Sequence, residues 1–152
     1  MQKKINIQNK KAFFEYEILD TYIAGLQLGG TEIKSIRESK ARITESFCEF
    51  NEAGELFVIN MYVEEYKHGS FYNHLPKSAR KLLLEKKELK KLYKEVQNVG
   101  ITIVPLKLFI TDKGWAKLQI ALVKGKKLHD KRETIKDRDS KRELDRIKKQ
   151  HQ

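Results

Sequence analysis

Residues 13–19 place Phe14, Tyr16 and Ile18 on one side with charged positions between them, the two-residue period of a half-buried strand. Residues 22–28 predict a second short strand, closed by Gly29-Gly30. Over residues 31–40 the period lengthens to that of a helix, with Ile33 and Ile36 on one face and Thr31 as the expected N-cap. Residues 42–50 and 55–63 predict two strands folded about Asn51-Glu52-Ala53-Gly54. Residues 64–77 have no period, contain Gly69 and Pro76, and read as a loop. Residues 78–99 read as one long helix. Leu82, Leu89, Leu92, Tyr93, Val96 and Val99 fall on one side of it, lysines and glutamates fill the other, and Gly100 ends it. Residues 101–111 and 115–123 predict a hairpin turning at Asp112-Lys113-Gly114, in which Leu118, Ile120 and Leu122 share the buried face.

Strands, helix, strands, helix, strands is the order of an α+β protein that is mainly β. About six short strands in antiparallel hairpins favour a small closed or partly closed barrel with helices packed outside. No glycine-rich loop joins a strand to a helix, which disfavours a nucleotide-binding α/β fold.

Composition divides the chain in two. All aromatic residues lie between positions 12 and 123, and beyond Gly125 the aliphatic residues are Leu128, Ile135, Leu144 and Ile147 alone. Residues 1–124 are expected to be the folded domain, with the four lysines of residues 1–11 as a basic arm leading into it. Residues 125–152 carry eleven Lys or Arg against six Asp or Glu. That tail is too thinly apolar to pack, so it is expected to be disordered when free and helical against a polyanion.

The formal net charge of +11 makes the surface attractive to polyanions. A single cysteine, Cys48, excludes an internal disulfide and suits a reducing compartment. The first residues lack the apolar run of a secretory signal, and no stretch approaches a membrane span, so the cytoplasm is the expected location. His68, His74, His129 and His151 have no metal-ligand spacing to a cysteine or carboxylate cluster, and Cys48 has no histidine near it in sequence. No nucleophile elbow, P-loop or carboxylate pair is present, so neither an enzyme nor a cofactor, metal or small-molecule substrate is expected. The basic segments are Lys10-Lys11, Lys34 with Arg37, Arg80-Lys81, and Lys124-Gly125-Lys126-Lys127. Any one of them reads as an ordinary solvated face; together, on a chain this basic, they point to RNA.

The segments GTEIKSIR at 30–37, Asn73-His74 followed by Pro76, RKLLL at 80–84, TIVPLK at 102–107 and KGKKLHDKR at 124–132 resemble, in order and spacing, the SsrA-binding protein (SmpB) family, from about Asn9 onward. The resemblance implies an oligonucleotide-binding-type β-barrel with flanking helices. It implies transfer-messenger RNA as partner, held through its tRNA-like part and delivered to ribosomes stalled on messages without a stop codon. Glu32, Lys34 and Arg37 would then face the RNA with Asn9, Lys10, Asn73, His74, Leu83 and Lys124. The tail would enter the empty message channel, where Lys126, Lys127, His129, Asp130, Lys131 and Arg132 meet the decoding centre. Two positions depart from the family pattern: Ile23 stands where a glutamate is common, and Glu85 where histidine or asparagine is usual.

Three other readings are weighed against this one. A general RNA binder shares the charge and fold but predicts weak discrimination among RNAs. A membrane-surface or acidic-protein adaptor needs an apolar face that the tail lacks. An RNA-modifying enzyme or nuclease needs ligand clusters that the sequence does not show.

Overall fold

The computed structural model describes residues 4–68 and 73–126. Nine strands and three helices follow in the order β1 (Asn6–Gln8), α1 (Lys10–Glu15), β2 (Tyr16–Leu26), α2 (Gly30–Arg37), β3 (Ala41–Arg42), β4 (Phe47–Phe50), β5 (Leu56–Ile59), β6 (Tyr62–Val63), β7 (Arg80–Leu83), α3 (Lys86–Val96), β8 (Ile101–Ile110) and β9 (Ala116–Gly125). The main sheet runs β1-β8-β4-β5-β7-β2-β9, and β8 also pairs with β9, so the ladder returns upon itself. Its pairings are antiparallel. The fold is mainly β with a few helices. The expectation of a disordered tail lies outside the described residues.

The predicted β8–β9 hairpin forms, and Leu118, Ile120 and Leu122 enter the main core with Leu56, Val58, Leu92 and Ile103. Ala121 and Val123 on the opposite side of β9 are buried too, in a second cluster with Val104, Leu106 and Ala12 of α1. The second half of β9 is therefore covered on both faces, which is why its alternation fades after Gln119.

Several predicted elements change. The predicted strands 13–19 and 22–28 are one strand, β2, preceded by a helix. Asn9 caps that helix, its Oδ1 accepting from the Ala12 amide at 3.3 Å. The charged interruption at Asp20-Thr21 is not a break but a register shift between Ile18 and Asp20, leaving Leu19 exposed. The N-terminal arm supplies β1, whose Ile7 pairs with Leu108 while Ile5 beside it is buried.

The predicted strands 42–50 and 55–63 are each broken. Ser46 turns back on Ile43 through its amide and its hydroxyl, and Asn60 adopts a positive φ of 64° at the same level of the partner strand. The outer pieces, β3 and β6, form their own two-stranded sheet.

The largest correction is the helix predicted over 78–99. Residues 80–83 are strand β7, paired with β5 and β2, with Arg80 and Leu82 pointing inward. Leucines at 82–84 satisfy a two-residue period as well as a helical one, and the open strand edges beside them decide in favour of the sheet. The helix α3 begins only at Lys86, with Glu85 as N-cap and Glu88 accepting the Glu85 amide at 3.1 Å. Leu92 is buried and Tyr93 meets Phe50 edge-on at 5.3 Å, but Val99 lies beyond the helix end and is fully exposed. No helix among the described residues is long and apolar enough to cross a membrane.

Candidate nucleic-acid interface

Helix α2 is short and its placement depends on one acid. Glu32 Oε1 accepts the Gly29 amide at 2.9 Å, so the N-cap is Gly29 and not the expected Thr31. The other oxygen of Glu32 is paired with Nε of Arg80. Arg80 is 3% exposed. It further donates to the carbonyls of Met61 at 2.7 Å, Leu75 at 3.2 Å and Pro76 at 3.1 Å. A buried charge is tolerable only when paired and fully hydrogen-bonded, and this guanidinium has both. It fastens α2, the segment after β5, and the loop before β7 to one point.

Thr31 and His74 add a second fastening. His74 Nε2 lies 2.9 Å from the Val63 carbonyl and Nδ1 lies 2.9 Å from the Thr31 hydroxyl. A carbonyl accepts, so Nε2 donates to Val63, while Nδ1 pairs with the Thr31 hydroxyl. Asn73 closes the neck of the loop. Its amide bonds Tyr66 on both backbone groups, at 3.1 and 2.9 Å, and Oδ1 also accepts the His74 amide at 3.1 Å.

What this framework presents outward is cationic and apolar. Lys34 lies over the Tyr66 ring at 5.5 Å, and Arg37 reaches the Gly114 carbonyl at 3.4 Å. Neither is in an ion pair with a described residue. Gly25 of β2 sits between Leu83 of β7 and Lys117 of β9 in register. A side chain there would come within 3.4 Å of Leu83 Cβ and 3.7 Å of the Lys117 ammonium. Ile23, two residues back on β2, and Leu83 are each 50% exposed. Large aliphatic groups left open beside cations form a surface that can meet base or sugar faces and phosphates together.

The expected RNA-facing residues therefore divide into three sets. Lys34, Arg37, Lys81 and Leu83 lie around α2 and β7, although Lys81 is held by Glu55 at 2.6 Å. The Lys81 ammonium holds the Glu55 carboxyl below the usual carboxylate range, with Asn51 assisting. Lys10, Lys11 and Lys124 gather at the other end of the strands. Lys124 stands seven residues along β9 from Lys117, about 23 Å at strand rise. Lys11 is bound to Glu45 at 3.1 Å and Glu15 at 3.7 Å, which raises its pKa, the Glu45 hydrogen bond first. The third set points inward. Asn9 is 2% exposed, with Nδ2 donating to the Pro105 carbonyl at 2.9 Å, so its side chain serves the fold. Glu32, Asn73, His74 and Arg80 likewise engage protein groups and position the surface. Lys126 is described, its Nζ 3.3 Å from the Phe13 carbonyl. Lys127, His129, Asp130, Lys131 and Arg132 lie outside the described residues.

Sequence reasoning missed Tyr66, Gly25 and Lys117, whose roles come from cross-strand neighbours. Glu85 faces solvent as a helix cap, its Oε2 3.6 Å from Lys87. Burial pushes the Cys48 thiol far above its ordinary value, as suits an inert core group. Among the described residues no group of three or more His, Cys, Asp or Glu is placed to hold a metal ion.

A family model described as SmpB protein matches residues 6–150. The chain belongs to the SmpB family. It is 67% identical over 151 residues to the SsrA-binding protein of Christiangramia forsetii, covering 99% of this chain and 96% of that relative. It is also 67% identical to the SsrA-binding protein of Flavobacterium psychrophilum, with 99% of each chain covered. The SsrA-binding protein of Rhizobium johnstonii is 48% identical over 151 residues, 99% of each. Among solved structures, SmpB in one described as "tmRNA-SmpB: a journey to the center of the bacterial ribosome" is similar with a TM-score of 0.68 and 45% identity, over 82% of this chain and 86% of that one.

Proposed function

We propose that this chain binds the tRNA-like domain of transfer-messenger RNA (SsrA) and delivers it to stalled ribosomes in trans-translation. The relatives are named SsrA-binding proteins, and the structural neighbour is described with tmRNA and the bacterial ribosome. The observation that carries the reading within this molecule is the α2 surface. Its own acid is drawn inside by Arg80, so Lys34 over the Tyr66 ring and Arg37 at the β8–β9 turn are left without a carboxylate partner among the described residues.

On this reading residues 1–124 are an oligonucleotide-binding-type barrel, supported by the sheet order that returns through the β8–β9 pairing. Residues 125–152 are a separate ribosome-binding tail that enters the empty mRNA channel, with Lys126, Lys127, His129, Asp130, Lys131 and Arg132 at its start. Lys34, Arg37 and Leu83 touch the RNA; Glu32, Asn73, His74 and Arg80 set their positions. The protein acts in the cytoplasm, by binding and not by catalysis.

The test is affinity for the tRNA-like domain against bulk tRNA and an unstructured RNA across a salt series. Binding that remains selective near physiological salt supports the assignment. Equal affinities that fall together as salt rises reduce the protein to a generic polycation. Removal of residues 125–152 is expected to leave RNA affinity nearly unchanged and to abolish tagging on stalled ribosomes; a truncated chain that still supports tagging overturns the role of the tail.

A further inference from the structure

The turn between β8 and β9 lies beside the C-terminal end of α2, and the two enclose a cleft of 630 Å³. That is within the roughly 300–1,000 Å³ of ordinary ligand clefts. Three cations from three separate segments line it: Lys4 before β1, Arg37 at the end of α2, and Lys113 in the turn. None of them is in an ion pair with a described residue, and one carboxylate, Asp112, lines the cleft with them. Three positive charges against one negative leave the cleft cationic.

The turn is built to keep Arg37 there. Gly114 has a φ of 89°, and its amide closes the turn onto the Thr111 carbonyl at 2.8 Å. Its carbonyl accepts from Arg37 Nη2, and a Cβ at Gly114 would stand 3.4 Å from that same nitrogen. The guanidinium thus spends one N–H on the Gly114 carbonyl and keeps the rest of its fork for an anion.

The next residue is Trp115, the one tryptophan of the chain. It is 68% exposed and makes no ring or cation contact with another described residue. A tryptophan this open, about 3.8 Å by Cα from a residue lining a cationic cleft, joins a stacking platform to a phosphate holder. Proteins grip single-stranded nucleotides with that combination.

We propose that the Lys4–Arg37–Lys113 cleft holds a backbone phosphate of an unpaired RNA nucleotide whose base stacks on Trp115. The site rests on the RNA-binding reading above and adds to it a second contact, at the β8–β9 turn. A cationic cleft takes an anion, so the ligand is the phosphodiester of a looped or splayed nucleotide, either in the tRNA-like RNA or in ribosomal RNA.

The single tryptophan makes the test direct. The full-length protein is titrated with the tRNA-like domain, and separately with ribosomes, while intrinsic fluorescence is read; affinity is measured in parallel by a method that does not use Trp115. Quenching by the isolated RNA assigns the nucleotide to it, and quenching by ribosomes alone assigns it to ribosomal RNA. Replacing Trp115→Ala is expected to weaken the assigned complex roughly five-fold or more, with Trp115→Phe restoring most of the loss. Lys4→Ala with Lys113→Ala is expected to lower the slope of log affinity against log salt by roughly one to two. Tight, selective RNA binding with no quenching by either partner and an unchanged salt slope overturns the cleft while leaving the function intact. Loss of selectivity in the unaltered protein overturns the function itself.

Discussion

Helices α2 and α3 make opposite use of charge. By count α3 is the more basic, with five lysines against two glutamates, while α2 has Lys34 and Arg37 against Glu32. Yet α3 lies in a mixed neighbourhood. Lys87 meets Glu85 at 3.6 Å, Lys91 meets Asp20 at 3.4 Å, and the groove beside the helix includes Glu49 and Glu52. On α2 the one acid is turned inward to Arg80, and the cations are left beside Tyr66 and the β8–β9 turn. Charge count measures attraction to any polyanion; whether local acids already hold the cations is a separate property, and it differs between the two helices.

The largest expected effect breaks the anchor of α2. Replacing Arg80→Met strands the Glu32 carboxylate and three carbonyls, and denaturant unfolding is expected to show a loss of about 3–5 kcal/mol. A loss under 1 kcal/mol would mean that α2 is held by its apolar contacts alone. Next, Lys34→Glu with Arg37→Glu is expected to weaken binding to the tRNA-like domain roughly ten-fold or more at physiological salt, with the unfolding midpoint little changed. The matched reversal on α3, Lys90→Glu with Lys94→Glu, removes the same charge and is expected to cost about three-fold or less. If the two pairs lose equally, only net charge matters and the contrast between the helices fails.

The smallest effect concerns the tie between β2 and α3. The Asp20 carboxyl is held below its ordinary value, chiefly by the Tyr22 hydroxyl at 3.0 Å, with the Thr21 amide and Lys91 adding. A depressed carboxyl contributes stability above the unfolded pKa of about 3.9, and that contribution disappears as pH falls through the lower folded value. Lys91 is shifted upward by Asp20, so its contribution is present below the unfolded lysine pKa and is lost as pH rises through the folded one. Asp20→Asn is therefore expected to flatten slightly the fall in melting temperature between pH 5 and pH 2. An unchanged acid profile would show that this exposed pair contributes nothing.

The hairpins were legible because their turns carry their own instructions. Asn51 folds over the turn to accept the Ala53 and Glu55 amides, and Gly54 and Gly114 take the positive φ their turns require. The cation positions Lys34 and Arg37 were legible from helical spacing. What misled was local ambiguity. In RKLLL both periods fit, and only the edges of β5 and β2 make a strand of it. Asn9, Glu32 and Arg80 looked like surface polar residues because nothing near them in sequence shows the long-range partners that bury them, 96 residues away for Asn9 and 48 for the Glu32–Arg80 pair.

The sequence by itself determined the family, the β-rich order, the basic character, and the contrast in composition between residues 1–124, which hold every aromatic residue, and the charged residues 125–152, because motif order, composition and short-range period are local properties of the chain. The tertiary structure alone decided which charged groups are buried and which are offered outward, and that the cations at Lys10 and Lys124 stand far along the strands from those of α2. Burial and pairing depend on what long-range strand pairing brings alongside, and no local pattern encodes that.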